Sequence, residues 1–189
     1  MARGLSGAVP LAHFFLRERV KPGDRVVDAT CGNGHDTLFL AELVGPEGRV
    51  WALDIQDAAL AATAQRLEAA GCGERVELVN GGHERLAELV PGPVTAVVFN
   101  LGFLPGAENG TITTPATTGA ALGQAAELLL PGGIVTVAVY TGHPGGPEEE
   151  AAVDAWAASL PPACFNAWRC RQGNRSSAAP YLVMAERRA

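Results

Sequence analysis

Apolar runs of strand length alternate with Ala/Leu/Glu-rich stretches of helix length along almost the whole chain, and this alternation restricts the fold more than any other feature. The runs 25–29, 49–55, 76–80, 95–101, 133–140, 165–171 and 181–186 read as strands. The stretches 35–44, 57–70, 83–89, 115–130 and 148–160 read as helices. The strand runs are nearly continuously apolar, which is the signature of a parallel sheet buried on both faces by helices. The predicted fold is therefore α/β, a doubly wound, Rossmann-like sheet. Only nine residues separate the last two runs. That is too few for a crossover helix, so these two strands should form an antiparallel C-terminal edge hairpin.

The 189 residues suit one domain spanning 1–189, opened by a short N-terminal helix. That helix falls in the apolar run 8–16, which is interrupted by Pro10 and His13 and followed by Arg17-Glu18-Arg19. It resembles neither a signal peptide nor a membrane span, and no membrane partner is expected. Cys31, Cys72, Cys164 and Cys170 lie far apart with no CxxC, which predicts reduced thiols, no metal and a cytoplasmic protein.

The net charge of −6 argues against a nucleic-acid partner, but the distribution of charge does not. Of the 14 basic residues, five lie in the first 25 positions (Arg3, Arg17, Arg19, Lys21, Arg25). Five more lie in the last 21 (Arg169, Arg171, Arg175, Arg187, Arg188), while 86–168 has none. Arg169, Arg171 and Arg175 are the first candidates for contact with a polyanionic substrate. The alternative is that the terminal arginines are solvated surface.

The chemistry begins after the first strand, in Asp28-Ala-Thr-Cys-Gly-Asn-Gly-His-Asp-Thr37. Glycines in a first βα turn admit a ligand close to the backbone, and the helix start behind them favours polar groups. Asp54 ends the second strand 20 residues beyond Gly34, where an acid can accept both hydroxyls of a ribose. A tight turn with Asp54 capping the next helix is the bland alternative. Two nucleoside cofactors fit, NAD and S-adenosylmethionine. Thr37 stands where a dinucleotide loop wants a third small residue, and Asp28 would repel a pyrophosphate but suits a cationic amino-acid portion. Both residues favour S-adenosylmethionine. A dinucleotide-dependent oxidoreductase and a non-catalytic nucleoside-binding module remain as rivals.

The third strand run ends in Asn80-Gly-Gly-His83, where a polar side chain can meet an adenine edge or cap a helix. The fourth ends in Phe99-Asn-Leu-Gly102, which places the Asn100 amide at the cleft outside the sheet, able to orient an attacking amine through its carbonyl.

These residues match a known family. The segment from Asp28 to Thr37, Asp54-Ile-Gln56, Gly82-His83, Phe99-Asn-Leu-Gly-Phe-Leu-Pro105, the threonine-rich 111–118 and Tyr140-Thr-Gly-His143 with Gly145-Gly146 resemble MnmM. Members of this bacterial family, long labelled rRNA methylases, complete 5-methylaminomethyl-2-thiouridine at the tRNA wobble position. The resemblance runs in unbroken order from about Pro10 to Glu186 and includes the opening Pro10-Leu-Ala-His-Phe-Phe-Leu16. It departs from the family in Asn174-Arg-Ser-Ser-Ala-Ala-Pro180, where Ser177 replaces an expected Asn.

The resemblance implies a class I S-adenosylmethionine-dependent methyltransferase that N-methylates the 5-aminomethyl group of a wobble uridine in the tRNA anticodon region. It places Asp28, Gly32, Asn33, Gly34, Asp36, Thr37, Asp54, Gln56 and His83 around the cofactor, with Thr30, Cys31, Ile55 and Gly82 beside them. Asn100, Leu101 and Gly102 are expected where methyl donor and substrate meet. An amine must shed its proton before it can attack, so Asn100 is assigned as orienting acceptor, with Tyr140 and His143 as partners or proton route. Methylation of rRNA or of a small amine would share every cofactor residue, and oligomeric state is left open between monomer and homodimer.

Overall fold

The computed structural model describes residues 6–102 and 113–189. Arg3, Phe103 to Pro105 and the first two residues of the 111–118 segment, named above, lie outside the described residues. The elements in chain order are α1 (Ala8–Arg19), β1 (Arg25–Asp28), α2 (His35–Val44), β2 (Arg49–Asp54), α3 (Asp57–Ala69), β3 (Val76–Asn80) and α4 (Leu86–Leu89). They continue with β4 (Val94–Asn100), α5 (Pro115–Leu128), β5 (Leu129–Val139), α6 (Gly146–Ser159), β6 (Phe165–Cys170) and β7 (Tyr181–Arg187).

One sheet holds all seven strands in the order β3-β2-β1-β4-β5-β7-β6. The five strands β1 to β5 pair in parallel, while β7 runs antiparallel to both β5 and β6. The alternation of the sequence and its missing last helix are thereby realised. Side chains alternate along each strand, so Val27, Val97 and Phe99 join a core with α5 and α6, while Val26, Ala96 and Val98 join a second core with α1 and α2. The N-terminal helix α1 is longer than the apolar run suggested. It is seated by Ala8, Ala12 and Leu16, one per turn of the helix, against β4, β5 and β7.

Most element ends fall within a residue or two of expectation, and two regions are instructive. The helix expected to reach 130 stops at Leu128, because Leu129 already pairs with Val94 in the sheet. The Pro131-Gly132-Gly133 turn then shifts the register before Ile134 meets Ala96. The stretch 83–89 is a 3-10 turn at His83–Arg85 followed by a single α turn at Leu86–Leu89. At the start of α5, the Thr114 hydroxyl accepts from the Thr117 backbone and Pro115 occupies the first turn, both strong helix-starting features.

The chain leaves β1 in one direction across the sheet and β4 in the other, so the loops after these strands flank a crevice at the strand tips.

Candidate active site

A cleft of about 570 Å³ opens at the C-terminal tips of β1, β2 and β4. Most of the residues singled out from the sequence line it. These are Thr30, Cys31, Gly32, Asn33 and Asp36 from the first turn and helix, Asp54, Ile55 and Gln56 from the end of β2, and Gly82 and His83. Asn100, Leu101, Gly102, Tyr140 and His143 complete the set.

Backbone geometry explains the glycines. Gly32 and Gly34 both take positive φ, at 51° and 75°. A Cβ on Gly34 would also lie 2.9 Å from the Thr63 backbone, so this turn passes too close to α3 for any side chain. The Arg66 side chain on α3 donates to the Asn33 carbonyl at 2.7 Å and supports the turn from below.

The Asp54 carboxylate is fixed before any ligand arrives. It accepts from Gly32 N and Gln56 N, both at 3.0 Å, one to each oxygen. Each oxygen keeps a further lone pair for a hydroxyl.

Asp28, Thr37 and Gly34 were expected beside the cofactor, yet they do not line the cleft. Asp28 has no exposed surface. Its carboxylate accepts from the Thr37 hydroxyl at 2.6 Å and from Thr30 N at 3.2 Å. Burial, reinforced by the negative charge of Asp36, pushes the Asp28 carboxyl up to about 7. Its contribution is to fasten the turn to the start of α2. The carboxylate that does reach the cleft in this segment is Asp36.

Asn100 is held from two sides. Its backbone N–H donates to the Thr30 hydroxyl at 2.7 Å, and its side-chain Nδ2 donates to Asp36 Oδ2 at 3.4 Å. The other Asp36 oxygen meets His13 Nε2 at 2.7 Å. His13 comes from α1 and figured in the sequence only as an interruption of an apolar run. That interruption, a polar ring within the apolar run 8–16, was the available signal.

Burial lowers the pKa of His83, so its imidazole is neutral, and the ring is hydrogen-bonded to the Ala29 backbone. Its Nε2 is buried with no bonding partner among the described residues. Burial, then Asp36, raises the pKa of Tyr140 above the ordinary phenol value, so the hydroxyl keeps its proton at neutral pH. His143 Nδ1 donates to the Pro144 carbonyl at 2.9 Å, which leaves Nε2 as the other ring nitrogen. A Cβ at Gly102 would approach that nitrogen to 3.7 Å. Burial raises the pKa of the Cys31 thiol, as suits an inert packing residue. Thr113, Thr114 and Thr117, at the start of α5, also line the cleft.

The terminal arginines divide. Arg169 and Arg171 both ion-pair with Glu150 of α6, and Arg169 also pairs with Asp154 at 2.9 Å. Both guanidinium groups lie over the Tyr181 ring, at 4.6 and 3.7 Å from its centroid. These two side chains join α6 to the β6–β7 hairpin while staying 43% and 30% exposed. Arg175 is exposed in the connecting loop and makes no ion pair among the described residues.

The described residues include no helix long and apolar enough to cross a membrane and no group of three His, Cys, Asp or Glu side chains placed to hold a metal. The strand order and the acidic β2 tip at the switch-point cleft define the class I methyltransferase architecture. Comparison with known proteins narrows this. The family described as "Putative rRNA methylase" matches residues 50–186. The chain belongs to that family. It is 40% identical over 195 residues to a chloroplastic tRNA (mnm(5)s(2)U34)-methyltransferase of Arabidopsis thaliana, covering 98% of this chain and 71% of the relative. A crystal structure from Clostridium thermocellum, described as a putative rRNA-methylase, has a TM-score of 0.94 and 41% identity, covering 98% of this chain and all of its own. One from Streptococcus mutans, described as a putative methyltransferase in complex with SAH, has a TM-score of 0.87 and 34% identity, covering 99% of each chain. The protein is accordingly a methyltransferase of the S-adenosylmethionine-dependent class.

Proposed function

We propose that the chain, acting as a single domain, uses S-adenosylmethionine to N-methylate the 5-aminomethyl group of a wobble (2-thio)uridine in the anticodon region of tRNA. The observation that carries the reading is the Asn100 amide, fixed at the tip of β4 in a cleft shared with Asp36 and Asp54. The near full-length similarity to a tRNA (mnm(5)s(2)U34)-methyltransferase supports the substrate.

The residues fit the cofactor. The cleft is lined by Asp36, Asp54 and Glu84, carboxylates suited to a cationic nucleoside, and the buried Nε2 of His83 is an acceptor awaiting a donor. Asp54 would take the ribose hydroxyls, His83 an amino hydrogen of adenine, and Asp36 would favour the cationic amino-acid end. When bound, S-adenosylmethionine supplies an electrophilic methyl group on sulfur.

The protein's task is then alignment and proton management. The Asn100 carbonyl accepts an N–H of the substrate amine and so directs its lone pair. Tyr140, protonated at neutral pH, gives or receives a hydrogen bond but does not serve as a phenolate base. His143, just beyond the end of β5 with Tyr140, is the partner group or proton route for the amine.

The test is methyl transfer from labelled S-adenosylmethionine to tRNA and to rRNA, each from cells lacking the family's activity. Label in tRNA alone is expected. Label in rRNA would favour the activity in the family's description instead.

A further inference from the structure

We infer that His13 is a positioning residue for methyl transfer: from the N-terminal helix it holds the Asp36 carboxylate and, through it, fixes which end of the Asn100 amide faces the substrate. The inference deepens the function proposed above and rests on it for its kinetic consequences.

The geometry forms one chain of contacts across three segments far apart in sequence. His13 Nε2 meets Asp36 Oδ1 at 2.7 Å, and Asp36 Oδ2 accepts from Asn100 Nδ2 at 3.4 Å. The His13 ring is itself immobilised by parallel stacking on Phe39, 3.7 Å between centroids and 7° between planes. The Arg17 guanidinium also lies over the Phe39 ring, at 4.8 Å. Ala12 and Leu16, buried on either side in sequence, keep this part of α1 on the sheet. His13 and Asp36 side chains are 20% and 10% exposed, so water is a poor substitute for either partner.

An Asn side chain has two chemically different ends that rotation about one bond exchanges. A carboxylate beside it selects between them. With Nδ2 toward Asp36, the carbonyl oxygen is left for the substrate amine. The reverse orientation would set a carbonyl against a carboxylate and offer the amine only an N–H, which competes for its lone pair. Asp36 selects the productive end only while its own plane is fixed, and the 2.7 Å contact with His13 is the bond in the structure that fixes it. Without His13, the 3.4 Å contact to Asn100 would be the carboxylate's remaining side-chain hydrogen bond, too long to order both groups.

A merely structural role for His13 makes different predictions, and a double-mutant cycle separates the two. If His13 acts through Asn100, His13→Ala lowers kcat on tRNA roughly 10-fold, Asn100→Ala roughly 100-fold, and the double variant no further than Asn100→Ala. His13→Gln, which can still offer Asp36 an N–H, recovers most of the loss. Affinity for S-adenosylhomocysteine, whose cationic amino-acid end meets the same Asp36 carboxylate, falls by less than kcat in each variant. Losses that multiply in the double variant, or an unchanged kcat in His13→Ala, would overturn the inference while leaving tRNA methylation by the unaltered protein intact. A crystal structure of His13→Ala tests the same contacts independently of activity. Asp36 and Asn100 are expected to part or to adopt several orientations, and an unmoved pair would overturn the inference even if the unaltered protein failed to methylate tRNA.

Discussion

Asn100 and Asp36, 64 positions apart in sequence, meet through one hydrogen bond in the wall of the cleft, so the amide is tied to a carboxylate and its oxygen is left for a ligand. The contact matters most when an amine must be held in line with a methyl group. Asn100→Ala should therefore lower turnover by roughly 100-fold or more while barely changing cofactor affinity. Turnover of the unaltered enzyme should rise with pH as the amine loses its proton. Asn100→Asp sets a second carboxylate against Asp36, which disfavours ionisation of one of them and stabilises the ammonium form of the substrate. Its rising limb should move to higher pH in single-turnover measurements. A fully active Asn100→Ala would transfer the orienting role to Tyr140 or His143.

Asp54 is anchored to two backbone N–H groups, so its removal affects the cofactor pocket twice over. Asp54→Ala should weaken binding of S-adenosylhomocysteine by about 1–3 kcal/mol through lost ribose contacts and a loosened glycine turn. Calorimetry checks this. NAD should bind far more weakly than the methyl donor to the unaltered protein, and the opposite order would contradict the cofactor assignment.

Asp28 makes stability depend on pH. Its folded value of about 7 lies above the ordinary 3.8, so the folded protein retains a proton that the unfolded chain releases. The favourable contribution of this group is complete below about pH 4 and is lost as pH rises through 7. Asp28→Asn can still accept from Thr30 N and donate to the Thr37 hydroxyl. At pH 8 it should be more stable by roughly 1–3 kcal/mol, with a flatter stability profile between pH 4 and 7. Equal stability at pH 8 would show that the buried carboxylate ionises without penalty.

Arg169 and Arg171 should behave as structural residues and Arg175 as a surface one. Replacing Arg169 and Arg171 by alanine leaves Glu150 and Asp154 without the cations that join α6 to the hairpin. Thermal unfolding should shift down by a few degrees. Arg175→Ala should leave Tm unchanged and raise KM for tRNA, with a shallower salt dependence. A KM unaffected by Arg175→Ala would leave it as solvated surface.

The sheet was legible because its information is periodic: apolar runs, helix-length intervals and a short final connection admit few arrangements. The glycine turn, Asp54 and Asn100 were legible because each stands at the end of a strand, where the fold itself places a ligand. What could not be read were contacts between elements whose relative position exists only after folding. Asp28 looked like the cofactor's acid because it precedes the glycines, yet Thr37 and Thr30 occupy it and Asp36 faces the cleft. Arg169 and Arg171 looked like a basic patch because Glu150 and Asp154 lie some 20 residues earlier, on a helix that reaches them only in the folded chain. His13 was obscured in the same way, since its partner is 23 residues away.

The chemistry performed on the wobble nucleoside is read out by mass spectrometry of nucleosides. Hypomodified tRNA carrying 5-aminomethyl-2-thiouridine would be incubated with the protein and S-adenosylmethionine, digested and analysed. This nucleoside is expected to disappear and 5-methylaminomethyl-2-thiouridine to replace it, with Asn100→Ala slowing the conversion. An unchanged wobble nucleoside, or a methyl group found on any other base, would contradict it.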